Sequence, residues 1–303
     1  MPRVYDEEEF ENSGGSSKGS KSGSKRLKGL KGRAKDHPKK NFVAKFSDDH
    51  RLTTGGRKED SNYFKRKIAS KKIAIVHYLV KQIDQLVIVS SFVLPKPKPG
   101  LIDRFIILAE SACIKPILIF TKRDLVDREQ EKELLDVYKN TGYPCYVFSN
   151  DEETTKKYSL ATSEFLRKKI FAKRKSAVVG HSGVGKTTML KIVDPSYQAR
   201  VAPISDFTKK GRHTTTRVRL YDFPFGGTVY DMPGLKVLDY IDLTSNEIKN
   251  FYREFERYRK SCEYKNCTHD HEKNCKVKEA VQQGKIHPAR YSSYLQIRST
   301  LDD

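Results

Sequence analysis

The chain has 303 residues, 37% of them hydrophobic, and 59 lysines and arginines against 38 aspartates and glutamates, a formal net charge of +21. This size accommodates one ordinary domain and a smaller one, and a balance this basic favours a polyanionic partner, with RNA the leading candidate. No apolar run is long enough to span a bilayer, and the amino terminus is acidic and polar, unlike a signal peptide, so we expect a cytoplasmic protein with no membrane partner.

Residues 1–62 have the composition of a disordered basic arm. From Lys18 to Lys40 the sequence holds ten lysines or arginines and one acidic residue, set among glycines and serines with almost nothing to bury. Such an arm can follow a phosphate backbone without reading its sequence. For the net charge of +21 as a whole, the alternative interpretation is a lysine-rich surface that is merely solvated.

Folded structure is predicted to begin near Tyr63, with strands and helices in alternation. The predicted strands are 72–79, 85–93, 115–120 and 143–149, and the predicted helices are 101–112, 128–142 and 159–170. Because strands alternate with helices, we expect an α/β fold in which helices cover both faces of a parallel sheet. Further along the chain, a hairpin is predicted around 224–227.

A phosphate-binding loop is predicted at 180–187, because GHSGVGKT matches G-x-x-x-x-G-K-[ST] between an apolar strand and a helix. The glycines let backbone N–H groups close around phosphates, Lys186 can reach the β- and γ-phosphates as a catalytic group, and Thr187 can ligate Mg²⁺. The alternative interpretation of this motif is an ordinary glycine-rich turn between a strand and a helix. The predicted nucleotide-binding residues here are Gly180, His181, Ser182, Gly183, Val184, Gly185, Lys186, Thr187 and Thr188.

A guanine-specificity element is predicted where the strand 115–120 ends in Thr121, Lys122, Arg123 and Asp124. The Asp124 carboxylate can accept hydrogen bonds from guanine N1–H and the exocyclic amine, a pair that adenine does not offer. The stem of Lys122 can lie on the face of the base. Ser149 closes the next predicted strand and is expected to bring a backbone N–H to guanine O6.

Two further elements are typical of GTPase switch segments. Asp231 begins a D-x-x-G motif that ends at Gly234, so Asp231 is expected to hold Mg²⁺ through water and the Gly234 N–H to lie near the γ-phosphate. The motif GRHTTT at 211–216 offers a threonine that can coordinate Mg²⁺. Thr215 is the preferred ligand, although its neighbours Thr214 and Thr216 are nearly as good.

The order of these elements along the chain is permuted. An ordinary GTPase has the phosphate loop first and the guanine element last, whereas here the guanine element precedes the phosphate loop. A circular permutation explains this order, since the old termini of such a domain can be joined while new ones open elsewhere. The segment 231–242 then leads straight into the C-terminal domain, and we expect it to relay the nucleotide state.

A structural zinc site is predicted from the pattern C-x₄-C-x-H-x₅-C. Three thiolates and one imidazole make a closed tetrahedral zinc site, and clustered cysteines suit a metal in a reducing compartment better than a disulfide framework. His271 is an alternative to the histidine of this set. The predicted zinc ligands are Cys262, Cys267, His269 and Cys275.

With these motifs the chain resembles the ribosome small subunit-dependent GTPase A family (RsgA, also called YjeQ). The resemblance rests on the permuted order, GHSGVGKTT, GRHTTT, DMPG, and the zinc pattern followed by VKEAVQQGKI and ARYSSYL, and it covers about 81–303. It implies a GTP hydrolase that acts late in maturation of the small ribosomal subunit and contacts its rRNA. Hydrolysis would be stimulated by the subunit.

The resemblance also implies that His213 positions or deprotonates the attacking water. Leu235 and Lys236 occupy the region where Ras-type enzymes carry a glutamine, and a histidine has a suitable hydrogen-bonding ring and a pKa near neutrality. The alternative is that His213 is a switch residue without a role in the chemistry.

The chain departs from the family pattern in two places. The family usually carries an N-terminal OB-fold barrel, but residues 1–72 do not show five short strands with turn signals. We therefore expect that barrel to be absent or reduced to the strand near 72–79. Thr121 stands where asparagine is usual, and this puts guanine affinity, more than specificity, in question.

The expected organisation is a basic arm, a remnant or linker, a circularly permuted P-loop GTPase domain and a small helical zinc-binding domain, with bounds at 1–62, 63–84, 85–242 and 243–303. We expect a monomer that uses GTP with Mg²⁺ and holds one structural Zn²⁺. Two alternatives remain open: a GTP-gated rRNA-binding factor with negligible hydrolysis, and a permuted GTPase of large-subunit assembly.

Overall fold

The computed structural model describes residues 82–158, 160–198, 219–232 and 243–301, and the strand backbone at 45–46, 52–53, 64–69, 74–80 and 200–201. Of the residues predicted to act in the switch segments, His213, Thr215 and Gly234 lie outside these ranges. The predicted relay segment 231–242 is described only at its first two residues.

Four short strands precede the main sheet and form two antiparallel pairs. β1 (Lys45–Phe46) pairs with β2 (Leu52–Thr53), and β3 (Phe64–Ala69) pairs with β4 (Ala74–Val80). The strand predicted at 72–79 is present as β4, and β3 is an addition to the predicted elements. Within the described part of the chain these four strands form two separate two-stranded sheets. The absent or reduced OB-fold barrel stays a prediction, because most of residues 1–72 lie outside the described ranges.

The central sheet has seven strands in the order β7-β6-β5-β8-β11-β10-β9. They are β5 (Gln85–Ser91), β6 (Lys115–Thr121), β7 (Cys145–Val147), β8 (Lys175–Val179), β9 (Arg200–Val201), β10 (Arg219–Asp222) and β11 (Thr228–Asp231). The first five in spatial order run parallel, whereas β10 is antiparallel to both β11 and β9. The structure thus confirms the predicted parallel α/β sheet and the hairpin at 224–227.

The described residues also form α-helices on both sides of this sheet and beyond it. They are α1 (Pro99–Ser111), α2 (Arg128–Tyr138), α3 (Glu152–Tyr158), α4 (Ser163–Phe165), α5 (Lys186–Val193), α6 (Glu256–Arg259), α7 (Lys276–Gln282) and α8 (Pro288–Ser299). A π-helical turn, Leu166–Phe171, continues α4 without a break. Within the described ranges, no helix combines the length and apolar character that crossing a membrane requires.

The limits of α2 follow from its capping residues. Asp127 and Gln130 form a reciprocal capping box, with the Gln130 N–H donating to Asp127 Oδ1 at 2.8 Å. The helix ends at Tyr138 rather than at the predicted residue 142. Both the N–H and the hydroxyl of Thr141 donate to the Tyr138 carbonyl, at 3.1 and 2.6 Å, and Gly142 follows with φ of +73°.

The region after β7 contains two helix starts where one was predicted. Asp151 Oδ2 accepts from the N–H of Thr154 at 2.7 Å and so begins α3, which is absent from the predicted elements. The Thr162 hydroxyl accepts from the N–H of Phe165 at 3.0 Å and begins α4. The helix predicted at 159–170 therefore starts at residue 163, because a capped N-terminus outweighs the helical spacing of the residues before it.

Apolar side chains alternate between the two faces of the sheet, as a period of two residues requires. On one face Leu86 and Ile88 of β5 join the side chains of α1 and α2 in a buried cluster. On the other face Val87 and Val89 join α5 and the π-helical turn. Both faces of β5 are therefore covered, which explains why its sequence is an unbroken apolar run.

The C-terminal part begins with short helical turns instead of one helix. Two 3₁₀ turns, Ile248–Phe251 and Arg253–Phe255, are separated by Tyr252, whose backbone is extended with φ of −101° and ψ of 90°. The helical domain predicted for 243–303 is thus interrupted at this residue. Beyond the cysteines, α8 lies against α1 of the sheet domain.

A buried ion cluster joins α8 to α1. Arg290 donates to the carboxylate of Glu254 at 2.7 and 3.2 Å and also to Asp103, and these three side chains are at most 5% exposed. The guanidinium carbon lies 4.4 Å from the ring centroid of Tyr252. Burial raises the pKa of Asp103, and the charge of Arg290 opposes that rise. Removing one partner would leave buried charge without compensation.

We predict that Arg290→Met destabilises the protein by about 3–5 kcal/mol, because it leaves two buried carboxyl groups unpaired. Equilibrium unfolding in urea, with zinc supplied, measures the loss. The matched control is Lys276→Met, which removes the exposed pair with Glu279 and should change stability by about 0.5 kcal/mol or less. If the two substitutions cost the same, the buried cluster does not carry the stability assigned to it.

Candidate nucleotide site and metal centre

The phosphate-binding loop leaves the carboxyl end of β8 at a position that only glycine can occupy. Gly180 has φ of +150°, and a Cβ added there would lie 2.1 Å from the Val89 carbonyl oxygen of β5. Gly183 and Gly185 also have positive φ, at +82° and +96°, and Gly185 directly precedes α5. The loop is thereby pressed against β5 and opens at the N-terminus of α5, where backbone N–H groups favour anions.

Lys186 lies across this loop. Its Nζ donates to the carbonyls of Gly180 at 2.8 Å and His181 at 3.1 Å. Burial lowers the pKa of Lys186, and the neighbouring Asp231 carboxylate opposes that shift. The ammonium group is therefore held by two carbonyls at the position from which a P-loop lysine contacts phosphates.

Asp231 ends β11 and faces the phosphate-binding loop. Burial raises its pKa, while Lys186 and Arg219 oppose the rise. Its Oδ1 atom is buried and has no hydrogen-bond partner among the described residues. The Thr187 side chain at the start of α5 is exposed. A buried carboxylate oxygen without a partner suits a hard cation with oxygen ligands, so these residues fit Mg²⁺.

The two predicted guanine-binding elements meet at the carboxyl ends of β6 and β7. The Ser149 hydroxyl donates to Asp124 Oδ1 at 2.7 Å and accepts from the N–H of Asp151 at 3.0 Å. Lys122 has a left-handed backbone, with φ of +62°, and its Nζ donates to the carbonyl of Leu94. The carboxylate of Asp124 is thus held in place by a serine and remains exposed to a ligand.

Thr121 connects the guanine element to the phosphate-binding loop. Its buried hydroxyl lies 2.5 Å from the Val184 carbonyl of the loop and 3.1 Å from the Ser90 carbonyl at the end of β5. A Cβ added at Gly185 would also lie 3.7 Å from this hydroxyl. The threonine that replaces the usual asparagine therefore still supplies a side-chain donor to the loop backbone.

Arg123 has a different environment from the rest of its motif. Its side chain is 2% exposed, its Nε donates to Glu131 of α2 at 2.8 Å, and it also donates to the Val126 carbonyl. Its guanidinium carbon lies 4.2 Å from the ring centroid of Tyr158 on α3. Arg123 therefore fixes the element between α2 and α3 and does not present its side chain to a ligand.

The segment between β5 and α1 also borders the site, although none of its residues was among the predicted site residues. A Cβ added at Gly183 would lie 3.8 Å from Pro95 Cδ, and a small cavity beside the loop is lined by Pro95, Lys96, Lys98 and His181. The two lysines add positive charge next to the phosphate position. The signal available in the sequence was their place directly after a buried strand of a parallel sheet, where ligands bind.

The side chains of Cys262, Cys267, His269 and Cys275 converge in the C-terminal part, with ligand atoms within 4.8 Å of one another. His269 Nδ1 lies 3.6 and 3.4 Å from the Sγ atoms of Cys262 and Cys275, which are 4.0 Å apart. Tetrahedral bonds to zinc would place ligand atoms about 3.5–3.8 Å apart, so the donor set fits Zn²⁺. His271 is exposed and is not part of the cluster.

The environment of His269 favours the neutral imidazole that binds metals. Burial lowers its pKa to about 4, with a further contribution from the positive charge of Lys249. The Lys249 Nζ also donates to the Cys267 carbonyl at 2.8 Å. Because the ring stays uncharged at neutral pH, its Nδ1 lone pair is available toward the cysteine sulfurs.

Helix α8 holds this cysteine loop through three polar side chains. The Tyr291 hydroxyl donates to the His269 carbonyl at 2.7 Å, the Tyr294 hydroxyl donates to the Thr268 carbonyl, and Arg298 pairs with Asp270 at 2.9 Å. The same helix also carries Arg290, which binds Asp103 of α1. One helix therefore links the metal cluster to the nucleotide-binding domain.

Sequence comparison identifies relatives of this chain. A profile described as RsgA GTPase matches residues 58–241. The "Small ribosomal subunit biogenesis GTPase RsgA" of Actinobacillus succinogenes is 34% identical over 233 residues, covering 74% of this chain and 63% of that protein. The protein of the same name from Flavobacterium johnsoniae is 32% identical over 242 residues, covering 79% of this chain and 72% of that protein. The chain thus spans 63% of the length of the first relative.

Two solved structures share the fold. YjeQ from Thermotoga maritima superimposes with a TM-score of 0.58 at 29% identity, covering 78% of this chain and 76% of that one. YloQ, described as a circularly permuted GTPase, gives a TM-score of 0.56 at 25% identity, with 78% of both chains covered. Here too the guanine element on β6 precedes the phosphate-binding loop after β8, which confirms the predicted permuted P-loop fold. The chain therefore belongs to the RsgA GTPase family.

Proposed function

We propose that this protein is a GTPase that acts in the biogenesis of the small ribosomal subunit, as a cytoplasmic monomer. The observation that carries the nucleotide assignment is the contact between Asp124 and Ser149, tied to the phosphate-binding loop by Thr121. An exposed carboxylate held by a serine beside such a loop suits the two donors of guanine. The subunit assignment is supported by the name of the relatives, with which the chain shares its family.

In this proposal the described residues bind and orient GTP. Backbone N–H groups of 180–187 and the Lys186 ammonium hold the phosphates, while Asp124 and Ser149 read the base. Thr187 and Asp231 would hold Mg²⁺, together with Thr215, and Gly234 would donate to the γ-phosphate. The cation supplies charge stabilisation to the transferring phosphoryl group. His213 would position the attacking water when the protein is docked on the subunit.

The same proposal assigns one structural Zn²⁺ to Cys262, Cys267, His269 and Cys275. Four protein ligands close the coordination sphere and leave no place for a substrate. Because α8 binds both the cysteine loop and α1, the metal would stabilise the contact between the two parts of the chain. Its contribution is therefore to folding rather than to hydrolysis.

We predict that purified small subunits stimulate GTP hydrolysis by this protein, whereas large subunits and ATP give basal rates. Intrinsic turnover should be slow, on the order of 10⁻⁴–10⁻³ s⁻¹, since an unassisted GTPase lacks full stabilisation of the transition state. Phosphate release at saturating GTP measures both rates.

Two outcomes separate the candidate functions. GTP binding without stimulation by either subunit would favour a GTP-gated binding factor, and stimulation by large subunits would contradict the small-subunit assignment.

His213→Ala should abolish the stimulated rate while leaving subunit binding intact. A normal stimulated rate in this variant would remove His213 from the chemistry.

We predict that Thr121→Val and Asp124→Ala impair nucleotide binding in different ways. Removing the Thr121 hydroxyl leaves the Val184 carbonyl unsatisfied, at a cost of about 1–3 kcal/mol, so GTP affinity should fall about 5- to 150-fold while preference for guanine persists. Removing the Asp124 carboxylate should abolish most of the preference for GTP over ATP. Titration with fluorescent nucleotides measures both effects.

Thr121→Ser is the control for this pair, because it keeps the hydroxyl. It should retain near wild-type affinity for GTP. Weak binding by both Thr121 variants would show that the methyl group, rather than the hydrogen bond, matters at this position.

We predict that His269→Ala loses the metal while His271→Ala keeps one zinc per chain, because only His269 lies in the cysteine cluster. Metal content after gel filtration, with thermal unfolding of each variant, makes the measurement. A chelator should lower the unfolding midpoint of the wild type toward that of His269→Ala. Equal zinc content in the two variants would contradict the ligand assignment.

A further inference from the structure

The end of the central sheet opposite the phosphate-binding loop carries a separate group of basic side chains. The amino ends of the parallel strands lie side by side here, with Gln85 of β5 beside both Lys115 of β6 and Ser176 of β8, and Lys175 of β8 beside Thr228 of β11. The phosphate-binding loop leaves β8 five residues after Lys175. At about 3.3 Å per residue, the two ends lie roughly 16 Å apart.

Four exposed cations lie within seven residues where the π-helical turn leads into β8: Lys169 in the π-helical turn, Lys173 and Arg174 after it, and Lys175 at the start of β8. We call this group the basic corner, and its members are Lys169, Lys173, Arg174 and Lys175. Lys168 belongs to the same run but pairs with Glu164 at 2.6 Å. Among the described residues no carboxylate forms an ion pair with the three lysines of the basic corner.

Two carboxylates near the basic corner accept hydrogen bonds from uncharged groups. Asp84 accepts from the backbone N–H of Lys175 at 2.7 Å, and Asp222 accepts from the Thr228 hydroxyl at 2.7 Å. Lys175 Nζ donates to the neutral amide of Gln82 at 3.2 Å. The positive charge of the basic corner is therefore only partly compensated.

The backbone of the basic corner is held by the β10–β11 hairpin. Lys173 has φ of +58°, and its N–H donates to the Gly226 carbonyl at 3.2 Å. A Cβ added at Gly227 would lie 2.2 Å from the Phe171 carbonyl and 3.1 Å from the Arg174 carbonyl. Only glycine allows so close an approach, and the contact fixes the direction in which the basic side chains leave the turn.

A buried amide lies beneath these cations. Gln85 is fully buried, and its Nε2 donates to the Ile170 carbonyl at 2.6 Å and to the Ser176 hydroxyl at 2.8 Å. Its Oε1 accepts from Arg174 at 3.1 Å. Both ends of the amide are thus satisfied, and Arg174 is anchored to the sheet. A fixed scaffold that presents unpaired lysines is an arrangement suited to a polyanion.

We propose that the basic corner binds the phosphodiester backbone of RNA. The identity of that RNA as rRNA of the small subunit rests on the proposed function, whereas the chemistry rests on the corner itself. Lysines that point from a rigid turn contact phosphates without reading bases. Because the corner is at the opposite end of the sheet from the phosphate-binding loop, RNA and nucleotide bind at the same time.

An anionic membrane suits this surface less well. Peripheral membrane sites combine basic residues with apolar side chains that enter the lipid. The exposed large hydrophobic residues of the described chain are Leu94, Leu125 and Tyr264, and none belongs to the basic corner. Phe225, an aromatic residue in the turn of the neighbouring hairpin, is partly buried, and its ring centroid lies 5.3 Å from the Arg167 guanidinium carbon.

The test is the salt dependence of binding to purified small subunits by a variant with Lys169→Gln, Lys173→Gln and Lys175→Gln. Arg174 is left in place because it anchors Gln85. The slope of log affinity against log salt should become shallower by about two to three units, and affinity near physiological salt should fall about tenfold or more. Basal GTP hydrolysis and the thermal midpoint should match the wild type.

The matched control neutralises three exposed lysines elsewhere, with Lys132→Gln, Lys273→Gln and Lys285→Gln. It changes net charge by the same amount, so a general charge effect would alter both triple variants equally and overturn the proposal. The single change Lys169→Gln should reduce the slope by about one unit, which keeps the test valid if the triple variant is unstable.

Further arms separate this proposal from the proposed function. If the wild type does not bind subunits, the small-subunit assignment fails, and a short RNA duplex then tests the basic corner by the same slope. If the triple variant shows the same salt slope as the wild type on small subunits and on the RNA duplex, the basic corner is not an RNA site. If the triple variant binds RNA like the wild type but loses binding to vesicles of phosphatidylserine and phosphatidylcholine, the basic corner is a membrane surface and the proposal is overturned.

Discussion

The nucleotide site depends on the adjacency of β6, β5 and β8 in the parallel sheet. Gly180 can lie against the Val89 carbonyl only because β8 pairs with β5, and Thr121 can reach the Val184 carbonyl only because β6 pairs with β5 on its other side. The sheet joins these strands through space, so their order along the chain does not affect the site. A permuted sequence therefore builds the same constellation as an unpermuted one, with the guanine element encountered first.

The C-terminal part depends on a second constraint, the double role of α8. Arg290 inserts between Asp103 and Glu254, and Tyr291, the next residue of the helix, holds the cysteine loop. A buried cation with two carboxylates is costly to break but adds little over apolar contacts, so its value lies in fixing one orientation. One helix therefore connects the Cys/His cluster to α1 beside the parallel sheet.

The two ends of the sheet have separate chemistry, and the direction of the strands explains why. The carboxyl ends present glycine loops, the exposed Asp124 and the lysine Lys186, which suit a guanine nucleotide. The amino ends present the basic corner, braced by the buried amide of Gln85 and the close approach of Gly227. The β8 strand spans both ends, so the basic corner and the phosphate-binding loop are joined by one short strand.

The sequence by itself determined the parallel α/β fold, the permuted order and the four residues of the metal cluster, because local spacing is enough to specify them. The periodicity of β5 and the motif of residues 180–187 need no knowledge of distant contacts. Only the folded structure shows that Arg123 is buried beside Glu131, that Thr121 bonds to the phosphate-binding loop, and that Arg290 joins α8 to α1. A side chain's partner lies far along the chain in each of the last two cases, and no local pattern records which strand or helix will be its neighbour.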